Sequence, residues 1–267
     1  MTSVTAHDYA WIHTSPLFRH ARDIGYSMTL VRGVAPEEVL RVMETEPLGT
    51  RPGADALVER QNALFEATDY QDDSFIAGAF TVPGEGGDWT LVLLFDGGAG
   101  MRPHCLAALS AGGRAVMHSS NGGKPMDWFH WYEDGELRTT FEWPTVRDGS
   151  DPDALVTVMR EVGFDLSDDE DDTDAAVDRK TAVLALAERL TGVRVTEHLL
   201  HDAEYRLGQV PEEPAEEWTG IVIDITDAHG ERFYREFTRE EVEAGVARAR
   251  AEAAAPVVVP PPSPPTP

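Results

Sequence analysis

Met126-Asp-Trp-Phe-His-Trp-Tyr-Glu-Asp-Gly-Glu-Leu-Arg-Thr-Thr-Phe-Glu-Trp143 is the stretch that decides the fold of this chain. Two runs rich in aromatic and β-branched residues flank Asp134-Gly135. That dipeptide suits a two-residue hairpin, because both turn positions need positive φ. Upstream, Arg114–Ser119 is set off by Asn121-Gly122-Gly123. Strands over 114–119, 126–133 and 136–143 are therefore expected to form an antiparallel meander. Alternation along a strand puts Trp128, His130 and Tyr132 on one face and Phe129 and Trp131 on the other. One face must be core. The other is either covered by a helix or left open as a contact patch. Trp and Tyr bury large areas with few rotors and are enriched at binding hot spots. Trp128, His130 and Tyr132 are accordingly the candidate partner-binding residues.

Outward from the meander, Tyr26–Arg32, Phe75–Val82 and Trp89–Phe95 read as further strands, the last two joined by a Pro83–Asp88 loop. Helices are expected over His7–Thr14, from Pro36 through Met43, over Leu57–Glu66 and over Pro103–Ser110. Ser150-Asp151-Pro152-Asp153 opens another that stops at Gly163. Asp174–Thr191, with Val183, Leu186 and Leu190 on one stripe, is expected as the longest helix. Thr196–Leu207 is expected as a further helix, and Pro47–Ala54 as a loop rich in Gly and Pro. The fold class is α+β, a largely antiparallel central sheet with a β-meander, covered by helices. The expected organisation is a main domain over 1–208, a linker over 209–217 and a β-hairpin plus helix over 218–255. That last unit is packed on the main domain or appended to it. A disordered tail of seven prolines in twelve residues follows over 256–267.

The chain has 267 residues and a formal charge of −26, spread as −12 over residues 1–163 and −14 over 164–267. Such a field repels phosphate backbones and anionic bilayers, so neither nucleic acid nor membrane is an expected partner. A basic protein partner would be attracted. One cysteine, Cys105, precludes an intramolecular disulfide. No stretch approaches the ~20 apolar residues of a membrane span, and the start carries no basic and apolar leader pattern. A cytoplasmic protein is the expectation.

The chain is poor in chemical motifs. Gly123-Lys124 is followed by Pro125 where a phosphate loop needs Ser or Thr. Ser110 lacks the first glycine of a nucleophile elbow. Cys105 beside His104 reads as a small buried thiol. His198, His201 and Asp202 share a zinc-compatible spacing but lack a second ligand cluster. The acid tract Asp168–Asp174 lacks the glycine and the final glutamate of a calcium loop. No metal and no cofactor are expected.

Four phrases resemble a family of uncharacterised actinobacterial proteins, a domain of unknown function. They are Tyr26-Ser-Met-Thr-Leu-Val-Arg-Gly-Val-Ala-Pro-Glu-Glu-Val-Leu40, Tyr132-Glu-Asp-Gly-Glu-Leu137, Gly149-Ser-Asp-Pro-Asp153 and Ala185-Leu-Ala-Glu-Arg-Leu-Thr-Gly-Val193. The similarity covers about residues 8–205. It implies a shared α+β domain in a bacterial cytosol and carries over no catalytic residue. Two functions follow as expectations. One is a non-catalytic acidic interaction module, such as an immunity-like inhibitor or adaptor. The alternative is a small hydrolase-type enzyme using His118, His130, Glu133 and Asp134 around the meander.

Overall fold

The computed structural model describes residues 4–67, 74–122, 127–166, 179–211, 220–226, 230 and 232–253. The chain divides into two compact units, Met1–Glu213 and Pro214–Pro267. In the first, a 3₁₀ helix (Ala6–His13) and α1 (Pro16–Ile24) lead into β1 (Tyr26–Arg32), α2 (Pro36–Val42) and β2 (Glu46–Pro52). Next come α3 (Gly53–Ala67), β3 (Phe75–Gly84), β4 (Gly87–Leu94) and α4 (Pro103–Leu109). The meander is β5 (Arg114–Ser120), β6 (Asp127–Glu133) and β7 (Glu136–Phe141), with a short β8 (Arg147–Asp148). Three helices, α5 (Val156–Val162), α6 (Arg179–Thr191) and α7 (Glu197–Asp202), precede β9 (Glu204–Val210).

Among the described residues, nine strands make one sheet in the order β2-β9-β3-β4-β1-β5-β6-β7-β8. Every pairing in it is antiparallel. The fold is α+β with a large antiparallel sheet and helices around it. The expected meander is its right-hand third, and Asp134 and Gly135 both take positive φ, at 51° and 82°. Period-two alternation feeds two cores, one on each face. Met28, Leu30, Leu91, Leu93, Phe129 and Trp131 join the larger, beneath the 3₁₀ helix, α1, α3, α5, α6 and α7. Val31, Val92, Leu94, Met117 and Tyr132 join the smaller, beneath α2 and α4. A bulge shifts the β6–β7 register between Trp131 and Tyr132. Tyr132 and Leu137 are thereby opposed on the smaller core's side.

Several elements depart from the sequence expectation. The helix expected over Thr196–Leu207 ends at Asp202, and the chain becomes β9 at Glu204. The cause is a change of period: Tyr205 and Leu207 are buried on one face while Glu204 and Arg206 point away. The Tyr205 hydroxyl also donates to the Leu200 carbonyl at 3.0 Å, clamping α7 onto the strand. Gln209 and Val210 of the expected linker belong to β9, and 212–217 lies outside the described residues. The expected loop over Pro47–Ala54 is instead β2 and the start of α3. β2 is an edge strand, where Pro47 and Pro52 are tolerated because one side needs no ladder donor. α1 adds to the expected elements, with Pro16 at its start and the Ser15 hydroxyl accepting from the Phe18 amide at 3.4 Å.

The first residues of the expected Asp174–Thr191 helix lie outside the described residues. The described part, α6, runs from Arg179 to Thr191. It is buried all round from Thr181 to Ala187, not along one stripe. Its small Thr-Ala-Val-Leu-Ala-Leu-Ala run lets it sit between the 3₁₀ helix and β5. The α7 start is held by Thr196, whose hydroxyl accepts from the Leu199 amide at 3.1 Å. Thr196→Ala is expected to lower stability by about 1 kcal/mol, read as a shifted urea midpoint with unchanged slope; an unshifted midpoint would show that the cap carries no weight.

In the second unit, β10 (Gly220–Thr226) and β11 (Arg232–Thr238) pair antiparallel and lead into α8 (Arg239–Ala253). The Thr238–Glu241 capping box forms: the Thr238 amide donates to Glu241 Oε2 at 2.9 Å and the Glu241 amide to Thr238 Oγ1 at 3.3 Å. The expected tail over 256–267 lies outside the described residues.

Candidate functional site

The aromatic strand β6 divides its side chains between two environments. Phe129 and Trp131 are buried in the larger core. Of the three candidate partner-binding residues, Tyr132 is buried beneath Cys105, Leu106 and Leu109 of α4. The other end of the same face stays open. Trp128 is 37% exposed and stacks on His130, with ring centroids 6.1 Å apart and planes 10° from parallel. His130 Nδ1 lies 3.0 Å from the Thr140 hydroxyl on β7. Burial under this stack pushes the His130 imidazole down to about 4, so it is neutral at pH 7. The open end of this face is thus Trp128, with His130 and Thr140 half-buried beside it, while Tyr132 belongs to the smaller core.

The four groups named for catalysis are not brought together. His118 and His130 sit on adjacent strands but face opposite sides of the sheet, since His118 opposes Phe129 and His130 opposes Met117. Glu133 is paired with Arg114, whose Nη2 lies 2.6 Å from its Oε1. Asp134 occupies the exposed hairpin turn.

His118 nevertheless marks a second place of interest, on the larger core's side. It is 2% exposed, and neither ring nitrogen has a hydrogen-bond partner. The edge of the Tyr26 ring packs against it at 5.6 Å. Burial pushes its imidazole down to about 3. A small cleft at the start of α6 is lined by His118, Asp127, Trp128, Glu142, Arg179 and Lys180, among others. Its inner hollow is ≈ 20 Å³, room for one water. Asp127 Oδ1 is also unpartnered. Beside the mouth, the Arg179 guanidinium lies 4.4 Å from the centroid of Trp143, which is 40% exposed. Sequence reasoning named His118 but not Asp127, Trp143 or Arg179. Only the β5–β6 register and the return of α6 across the sheet put them together.

The remaining motifs resolve into structural roles. A larger pocket of ≈ 500 Å³ beside α4 is lined by Met43, Phe75, Asp96, Met101 and Cys105. Its carboxylate is committed to the loop after β4: Asp96 accepts from Ser27 Oγ at 2.7 Å and from the Gly98 and Gly100 amides at 3.0 and 2.9 Å. Burial raises the Asp96 carboxyl and the Cys105 thiol above their usual values. The thiol donates to the Val42 carbonyl at 3.4 Å and is not poised as a nucleophile. Ser110 is buried and donates to the Ala107 carbonyl. His198 and His201 are exposed and contact one carboxylate, Asp202, each at 3.0 Å. Among the described residues no group of three or more His, Cys, Asp or Glu could hold a metal ion. The acid tract Asp168–Asp174 lies outside the described residues. Among the described residues no helix is long and apolar enough to cross a membrane.

Residues 2–215 match the model of a family described as a family of unknown function, DUF6461. No curated protein and no solved structure matches the chain.

Proposed function

We propose that the chain, which belongs to the DUF6461 family of unknown function, is a non-catalytic interaction protein that binds a basic protein partner through the Trp128–His130 patch. The observation that carries this reading is Trp128 itself. Five of the six tryptophans have described surroundings, and Trp128 and Trp143 are the two of these that are exposed. Trp143 is overlain by Arg179, so Trp128 is the indole offered to a partner. Its ring is held flat by His130, which lowers the entropy lost on contact. The −26 charge steers a basic partner towards the protein and repels nucleic acid and anionic lipid. A cytoplasmic setting fits this role, and the resemblance to actinobacterial proteins points to the same compartment.

The test is capture from a native bacterial cytosol at low and at high salt, with wild type and Trp128→Ala side by side. Trp128→Ala is expected to lower capture about tenfold, as loss of a hot-spot residue does. Raising the salt is expected to weaken wild-type capture as well. Its melting should stay near wild type, because an exposed residue costs within about 0.5 kcal/mol. Capture indifferent to both the substitution and the salt would end this reading.

A second reading, a small hydrolase-type enzyme, is favoured by one observation: His118 and Asp127 line the same cleft. Against it, no hydrogen bond joins the two, and the hollow holds little more than a water. A general base needs an orienting partner and a substrate within reach.

A further inference from the structure

Trp128 also lines the cleft at the start of α6, but the buried polar groups there, His118 and Asp127, stand on the sheet face opposite the Trp128–His130 stack. His118, Ser120 and Asp127 share one sheet face: His118 and Ser120 are two apart on β5, and Asp127 opposes Ser120 on β6. Each carries an unpartnered polar atom buried from solvent: both His118 nitrogens, Ser120 Oγ and Asp127 Oδ1. Buried polar groups are nearly always paired, so the clustering of unpaired ones beside a cleft calls for a ligand that supplies the missing bonds.

What that ligand must be follows from the inventory. A carboxylate oxygen only accepts, and a neutral imidazole offers one acceptor and one donor. The unpaired set therefore has a surplus of acceptors and wants a donor-rich group. An anion would face Asp127 and Glu142 and leave the Asp127 oxygen unsatisfied. The two cations of the lining are already engaged, Arg179 over the Trp143 ring and Lys180 in an interaction of its own. Arg179 on Trp143 also shows that this rim receives a cation. Size narrows the class further. A hollow of ≈ 20 Å³ admits a group no larger than water. An ammonium meets that limit; a planar guanidinium is larger. The apolar walls, Tyr26, Phe141, Phe164 and Val183, suit a methylene stem.

We propose that this cleft is a binding site for a primary alkylammonium group, with the ammonium donating to Asp127 Oδ1 and to the unprotonated nitrogen of His118. The group can come from a lysine side chain or from a free aliphatic diamine. Burial keeps His118 neutral and hence able to accept.

The test uses the full chain, titrated by calorimetry with n-butylammonium and, in separate arms, with 1,4-diaminobutane and a lysine-containing peptide. Tetramethylammonium, equal in charge but without N–H donors, is the control. The ¹⁵N shifts of the His118 ring are followed in parallel. Saturable n-butylammonium binding that moves the His118 resonances is expected, with no response to tetramethylammonium. Asp127→Asn and His118→Phe should each weaken it about tenfold, the loss expected for a charge-assisted hydrogen bond, while Glu38→Gln on α2, exposed on the other side of the sheet, leaves it unchanged. The diamine and peptide arms then identify the source. Asp127→Asn keeps the shape of the site, so the outcome stands even if His118→Phe fails to fold. No binding, or binding equal in wild type and Asp127→Asn, overturns the proposal. Partner capture that survives Asp127→Asn separates this site from the partner patch.

Discussion

Phe129→Ala is expected to cost the fold about 3–5 kcal/mol, the range for truncating a buried aromatic ring. Phe129 is fully buried, its ring stacked on Phe141 at 4.9 Å and 18°. Phe141 in turn meets the Phe164 ring edge-on at 5.8 Å. The three rings tie β6 and β7 to the segment that follows α5. The sheet backbone is fixed by its ladders, so it cannot collapse into the void left by the ring. Urea unfolding should show a lower midpoint with an unchanged slope. A loss below about 1 kcal/mol would mean that this side of the strand is not packed. Trp128, one residue earlier and larger, should cost far less for the opposite reason: its ring has water on one side.

The second large effect is acid sensitivity. His118 sits neutral in the core with its imidazole pushed down to about 3, against 6.5 for an ordinary histidine. The unfolded chain takes up that proton as the pH drops below 6.5, while the folded chain declines it until near 3. Stability is thus fully present above about pH 6.5 and is lost progressively below it. Between pH 7.5 and 5 the loss from His118 alone is about 2 kcal/mol. His130 acts in the same direction. Asp96 acts in the opposite one, since burial makes its folded form prefer the proton and its contribution improves as the pH falls. The net slope of the wild type is therefore a difference. Comparison with His118→Phe isolates the histidine: the variant should lose about 2 kcal/mol less than the wild type over that interval. Equal losses in the two proteins would show that His118 is not held neutral.

Much of the sheet was legible because its strands follow the plain rules of alternation and turn chemistry. Tyr26–Arg32 and the pair joined at Asp134-Gly135 needed nothing beyond local pattern. β2 was not legible. Its prolines and Gly49 are signals of irregular chain, and only its position at the sheet edge makes them compatible with a strand. β9 was hidden differently. Thr196, Leu199 and Leu200 make a true helix start, and nothing before Tyr205 announces that the period changes. The candidate site divides along the same line. Trp128 could be singled out because an aromatic strand must place some rings outside the core. Tyr132 could not be told from it by alternation, since what covers it is α4, a helix more than twenty residues upstream. The unpaired state of His118 and Asp127 is invisible in sequence, because it depends on what fails to reach them once the strands are in register.

β9 lies between β2 and β3, flanked by strands made more than a hundred residues earlier. During synthesis on the ribosome, β2 and β3 therefore emerge with a vacant slot between them and remain so until Val210 has cleared the exit tunnel. Contacts so distant along the chain slow folding, and a bare strand border invites pairing with another molecule meanwhile. A nascent chain stalled before residue 204 should accordingly stay sensitive to protease and bind chaperones.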